Sequence, residues 1–251
     1  MKYFILKIFL KTIGKLSDGV KIGWRTGFDS GVMLEYIYEN KPRGFGPIGR
    51  FLDKLYISNE VWDGVRSRRE FLIKQIQEAV ASFEKPQLYD LAAGMGSYLF
   101  FIDRDKANIT AGDFEPEAVQ RGNGKVSEAG RHDIKFVEHN AFNKNSYAVQ
   151  EADILVSSGF FDILVKDEEI KTILKNGSEI TKKGSKWVFT IQEHHPDLEM
   201  IKKTMIDLHK GEWELVPRKA EVLTEWAKEY GWELVKLERN EFFAVGTMVK
   251  K

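Results

Sequence analysis

LYDLAAGMGSY, residues 88–98, reads as a buried strand that runs directly into a glycine turn. Such a turn can hold the phosphates of a dinucleotide, the phosphates of a nucleoside triphosphate, or a ligand with no phosphate. The dinucleotide fingerprint G-x-G-x-x-G needs a third glycine for tight helix–strand packing, and Leu99 stands there. A P-loop needs Lys followed by Ser or Thr after its glycines, and neither is present. Asp90, at the strand end, would repel a pyrophosphate and attract an ammonium or sulfonium.

The next strand ends in a second acid: ITAGDFEPEAV delivers Asp113, 17 residues after Gly96. An acid at the tip of the second strand is placed to accept hydrogen bonds from a ribose diol. Together the two acids describe a nucleoside with a cationic amino-acid tail, which is the chemistry of S-adenosyl-L-methionine.

From residue 86 onward, short apolar runs alternate with helical patterns, the sign of an α/β protein with a mainly parallel sheet. Strands are expected at Leu88–Leu91, Ile109–Asp113, Ile134–Glu138, Ile154–Val156 and Trp187–Ile191. Glu233–Leu237 and Phe242–Val249 read as an antiparallel pair. Pro116 suits a first helical turn. KDEEIKTILKNG opens with acids and is expected to stop at Asn176-Gly177, and PRKAEVLTEWAKEYGW at Gly231. A further helix is expected over Asp197–His209, and VRSRREFLIKQIQEAVASFE reads as a long helix ended by Pro86.

The chain resembles the class I S-adenosylmethionine-dependent methyltransferases. YDLAAGMGS is similar to their first motif, with Asp90 as its acid and Ala92, Gly94 and Gly96 at its three small-residue positions; Ala92 departs from the usual glycine. ITAGDFEPEAV resembles the second motif, implying donor contacts from Asp113 and Phe114. IKFVEHNAF resembles the third, implying Asn140, where an acid is common, and Ala141. ADILVSSGFFDIL resembles the fourth, implying Ser157 beside the donor methyl. The resemblance implies a Rossmann-like, mostly parallel seven-stranded sheet with an antiparallel last strand, S-adenosyl-L-methionine as cofactor, a donor-binding domain over residues 86–251 and an N-terminal helical cap or lid over residues 1–85. A narrower likeness, carried by residues 14–50 and by IQEHHPDLEMIKK, is to a bacterial group of methyltransferases, some fused to an α/β-hydrolase.

His194 and His195 follow the fifth strand, where loops at strand carboxyl ends form the ligand crevice. A histidine there titrates near neutrality, so both are candidate bases, His195 foremost because the narrower likeness keeps its His-Pro. The other reading of His195 is a cap for the following helix. His132, His139 and His209 are expected on outer surfaces. Ser157, Ser158 and Gly159 either bind an acceptor hydroxyl or let the backbone approach the ligand, and Phe160 and Phe161 read as apolar wall or core. Trp24, Arg25, Asp29 and Tyr36 suit either a lid over the acceptor or a structural cap. KPRGFGPIGR, with Lys41, Arg43 and Arg50, suits a phosphate headgroup or a plain linker.

The chain has no cysteine, which removes disulfides, thiolate metal sites and cysteine nucleophiles, and no spaced ligand set suggests a metal. Its 38 basic and 38 acidic residues balance, unlike a protein that relies on neutralising nucleic-acid phosphates. Residues 1–85 nevertheless hold 15 Lys and Arg against 10 Asp and Glu. MKYFILKIFLKTIGKL is broken by Lys7 and Lys11 well short of the ~20 apolar residues of a span. As a helix it would place Lys7, Lys11 and Lys15 in one stripe, suited either to an anionic bilayer or to packing on its own domain. The expected activity is methyl transfer to O or N of a small-molecule or lipid-like acceptor, in the cytoplasm or peripherally at the inner face of the membrane through residues 1–16. A non-catalytic donor-binding or membrane-docking module and an RNA methyltransferase are the alternatives.

Overall fold

Seven strands form where the apolar runs predict them: β1 Gln87–Asp90, β2 Asn108–Asp113, β3 Ile134–Glu138, β4 Ala152–Ser157, β5 Thr181–Gln192, β6 Trp232–Arg239 and β7 Phe243–Lys250. This computed structural model describes residues 1–251. The strands make one sheet in the order β3-β2-β1-β4-β5-β7-β6. β1 to β5 are parallel, while β7 runs antiparallel to both β5 and β6. The order reverses between β1 and β4, so the crevice of this sheet opens at their carboxyl ends.

Alternation along each strand divides the core between two faces. Tyr89, Leu155, Trp187 and Phe189 point to one face, under Ile170, Ile173 and Leu174 of α7 (Asp167–Glu179) and Leu223 and Ala227 of α9 (Ala220–Lys228). Leu88, Ile154, Val156, Val188 and Val245 point to the other, under Leu72 and Ile76 of α5 (Glu60–Val80) and Val119 of α6 (Pro116–Ala129). Pro116 occupies the first turn of α6 as expected. Asn240 Oδ1 accepts from the Phe242 and Phe243 N–H groups and turns the chain from β6 into β7.

Two local expectations are corrected. Gly177 does not stop α7, which continues to Glu179; a Cβ there would lie 2.6 Å from the Trp187 ring, so the glycine makes room for that indole. The helix after Asp197 is shorter than expected: α8 spans Leu198–Thr204, with Asp197 Oδ1 accepting from Met200 N. A short 3-10 turn, Ser97–Phe101, follows the glycine turn.

The chain divides into two compact units, residues 1–67 with 195–216, and residues 68–194 with 217–251. The division therefore falls inside α5 and not at residue 85, because Leu72, Ile76 and Ala79 are already part of the sheet's core.

The first unit contains α1 (Lys2–Lys11), a 3-10 turn (Ile13–Leu16), α2 (Asp18–Thr26), α3 (Gly31–Glu39), α4 (Gly46–Ile57), the start of α5, and α8. Phe28, Ile201 and Met205 form one of its core clusters, with Trp24 and Tyr56 packed against it, and Met33, Ile37 and Ile57 are fully buried as well. Its polar centre is Asp53, fully buried and accepting from Ser17 Oγ (2.6 Å), Gly19 N (2.8 Å), Tyr36 Oη (2.5 Å) and Arg43 N (2.7 Å). Tyr36 is thereby a structural residue of this unit. Burial, then the hydrogen bond to Asp53, raises its phenol above the ordinary range.

Candidate donor site

Leaving β1, the backbone stays tied to the sheet: Leu91 N donates to Val156 O and Ala93 N to Gly112 O, both at 2.9 Å. Gly94 (φ +56°) and Gly96 (φ +55°) then take left-handed conformations that favour glycine. A Cβ on Gly96 would also lie 2.7 Å from Phe136 Cζ. Ala92 is not among the positive-φ residues, so its methyl group carries no backbone penalty. That accounts for the departure from glycine.

Asp113 stands at the tip of β2. Its Oδ2 accepts from Gly94 N at 2.6 Å and its Oδ1 from Glu115 N at 2.9 Å, so it ties the glycine turn to the next strand. Each carboxylate oxygen has two acceptor sites, leaving capacity for a diol. Burial raises this carboxyl above the usual carboxylate range, against the lowering effect of the two amides. The adjoining Phe114 is 66% exposed and offers a flat apolar surface.

Asp90 is placed differently from the sequence expectation. It has no exposed surface; Tyr98 Oη donates to Oδ2 at 2.7 Å and Ala92 N to Oδ1 at 3.2 Å. Burial pushes its pKa up to about 7. Asp90 therefore holds the turn from beneath and presents no open carboxylate to a cation. The five-residue 3-10 turn after the glycines also offers no α-helical N-terminus to a pyrophosphate. The residues fit a phosphate-free nucleoside at its ribose end, through Asp113.

His139, expected on an outer surface, is buried at the end of β3. Its Nε2 is 2.8 Å from Leu91 O, which can only accept, so Nδ1 accepts from Tyr89 Oη at 2.8 Å. Its ring centroid lies 5.4 Å from that of Tyr89 and 5.2 Å from that of Tyr147. Burial lowers its pKa, which favours the neutral ring. The available signal was Gly112, a glycine inside an apolar strand, which marks close approach of another group. A Cβ there would lie 2.5 Å from His139 Cδ2.

Asn140 Oδ1 accepts from Phe142 N at 2.9 Å, making a turn after β3. Ala141 is buried, and its carbonyl accepts from Tyr147 Oη at 2.6 Å. Ser157 does not open toward the crevice: it is fully buried and its Oγ accepts from Trp187 Nε1 at 3.0 Å. Phe160 and Phe161 belong to the core. Gly159 takes φ +66° and donates its N–H to Thr190 Oγ1 at 2.7 Å.

The two histidines after β5 fall in different units. His194 is exposed and stacks on Phe242, with centroids 6.1 Å apart. His195 Nδ1 accepts from Asp197 N at 3.1 Å, just before α8. With Nδ1 so engaged, the neutral ring carries its proton on Nε2. It is a helix-start acceptor in this arrangement.

The sheet order, its reversed β7 and the turn after β1 define the class I methyltransferase fold. The chain belongs to the family described as "Putative methyltransferase", whose model matches residues 1–248. It is 30% identical over 211 residues to the uncharacterized protein YnbC of Escherichia coli (strain K12). That match covers 80% of this chain and 36% of the relative, so the chain spans about a third of that relative's length. A solved structure of a possible exported protein from Bordetella parapertussis is similar with a TM-score of 0.71 at 15% identity, covering 88% of this chain and 79% of that one. Magnesium protoporphyrin IX methyltransferase from Synechocystis PCC 6803, solved with bound SAH, is similar with a TM-score of 0.63 at 12% identity over 100% of both chains.

Proposed function

We propose that the chain transfers the methyl group of S-adenosyl-L-methionine to an oxygen or nitrogen of a small-molecule or lipid-like acceptor. The single observation that carries the donor reading is Asp113, held at the tip of β2 by the Gly94 and Glu115 amides with acceptor capacity left for a ribose diol. Phe114 would lie against the adenine, while Asn140 and Ala141 shape the turn beside it. Asp90 acts through Ala92 and Tyr98, fixing the glycine turn. The donor supplies a methyl group already activated on a sulfonium. The residues then have to align acceptor and methyl, and a base adds rate only where the acceptor arrives protonated. For His194 and His195 we propose positioning roles: His195 sets the start of α8 through Asp197, and His194 covers Phe242.

No helix is long and apolar enough to cross a membrane. Contact of residues 1–16 with the inner face of a membrane belongs to the same proposal, since Phe4, Ile5 and Ile8 remain exposed. The test is label transfer from methyl-labelled S-adenosyl-L-methionine into a lipid extract and, separately, into a polar metabolite extract. Label in a product that disappears with Asp113→Ala supports the reading. Tight donor binding with no transfer into either extract would leave a non-catalytic donor-binding module in its place.

A further inference from the structure

Two helices of the first unit turn apolar stripes to solvent. On α1, Leu10 is buried and Tyr3 reaches back to Asp197 ahead of α8, which leaves Phe4, Ile5 and Ile8 at 68%, 60% and 48% exposure. On α4, Gly49, Asp53 and Ile57 are buried. The opposite side carries Ile48, Phe51 and Leu55 at 64%, 60% and 59% exposure, and their spacing of three and then four residues makes them one face of the helix. Both helices pack on the Ile13–Leu16 turn. Phe45 N donates to Leu16 O at 2.9 Å and starts α4 beside that turn. Ile13, on the turn itself, is 56% exposed. Single exposed apolar residues are ordinary on a protein surface, but apolar stripes on adjoining elements mark an interaction site.

Charge selects the partner. Residues 1–17 contain Lys2, Lys7, Lys11 and Lys15 and no acid. Residues 40–57 contain Lys41, Arg43, Arg50 and Lys54, and their one acid, Asp53, is fully buried. A second copy meeting this face across a two-fold axis would set cations against cations. Lipid tails with anionic headgroups match both the stripes and their basic surroundings.

The geometry points to a composite docking face for an anionic lipid bilayer, formed by α1, the Ile13–Leu16 turn and α4 together. It rests on the proposed bilayer contact of residues 1–16 and extends it to α4, whose Arg50 the sequence already offered to a phosphate headgroup. The face holds the protein to the surface by shallow insertion of Phe51 and its neighbours, with Arg50 and Lys54 at headgroup level.

The test is co-sedimentation of the full chain with phosphatidylcholine vesicles, with and without phosphatidylglycerol. Binding is expected on the anionic vesicles, weakening as salt rises. Ile48→Ser with Phe51→Ser should lower the partition coefficient roughly tenfold or more, and Phe4→Ser with Ile8→Ser should do likewise. All four side chains are exposed, so an unchanged urea midpoint checks that each variant keeps its fold. If the α1 pair abolishes binding while the α4 pair binds like wild type, the composite face is overturned and only the contact of residues 1–16 survives. Wild-type protein that ignores anionic vesicles overturns both. A dimer that the α4 pair dissociates, without vesicle binding, assigns the face to a second copy and overturns the inference.

Discussion

Asp90 has no exposed surface and Asp113 has some, and the two carboxylates part company on that difference. On the proposed donor reading, Asp113→Ala removes a charged acceptor from the ribose, and donor affinity measured by calorimetry should fall by about 1.5–3 kcal/mol. Because burial raises the Asp113 pKa, affinity should also decline on the acid side at a higher pH than an ordinary aspartate would give. Asp90 calls for the opposite expectation. Its folded pKa of about 7 lies above the ~3.9 of an unfolded aspartate, so the native state holds the extra proton between these values. The stability it contributes is full below about pH 4 and is lost as pH rises through about 7. Asp90→Asn should flatten that slope in urea titrations run across the window. Equal slopes in wild type and variant would return Asp90 to the role of an open, charged ligand. Spacing put Asp113 at the tip of the second strand, where β2 ends. It could not show that Asp90 lies under Tyr98, because the fold of the turn decides that. Nor did strand alternation locate His139, which lies just past the end of β3, where the period-2 pattern no longer applies.

At the scale of elements, all seven strands were legible: the inner ones carry apolar runs bounded by turn residues, while β3 and β6, at the sheet edges, alternate buried with more exposed positions. Helix ends were less so, since a glycine in sequence reads as a stop whether it ends a helix or makes room for a neighbour. Two helical glycines separate these cases. Gly124 in α6 has nothing within 4 Å of where a Cβ would sit, so Gly124→Ala should raise stability by about 0.5–1 kcal/mol through helix propensity. In α7, Gly177→Ala would press on the fully buried Trp187 at 2.6 Å and should lower stability by about 1–3 kcal/mol. Urea midpoints of the two variants should therefore move in opposite directions. A Gly177→Ala protein as stable as wild type would mean that Trp187 repacks easily, despite its bond to Ser157.

For the whole molecule, the division into two units separates the proposed donor residues from the Asp53 network. Asp90, the glycine turn, Asp113 and Asn140 lie within residues 68–194, while Ser17, Gly19, Tyr36, Arg43 and Asp53 lie within residues 1–67. The sequence could not place this boundary. α5 is one uninterrupted helical pattern from Glu60 to Val80, and only the packing of its second half on the sheet assigns that half to the second unit. The same division yields a test of independence. Asp53→Ala leaves four donors without their acceptor in a buried site, two of them backbone N–H groups, and should cost the first unit about 3 kcal/mol or more. Hydrogen exchange should then show protection falling across α1–α4 while β1, β2 and β4 keep theirs. Donor affinity should change little at a temperature where both units remain folded, because none of the donor residues touches that carboxylate. Loss of protection at β1 and β2 in step with α1–α4 would show that the two units unfold as one, and Asp53 would then be a residue on which the donor site depends.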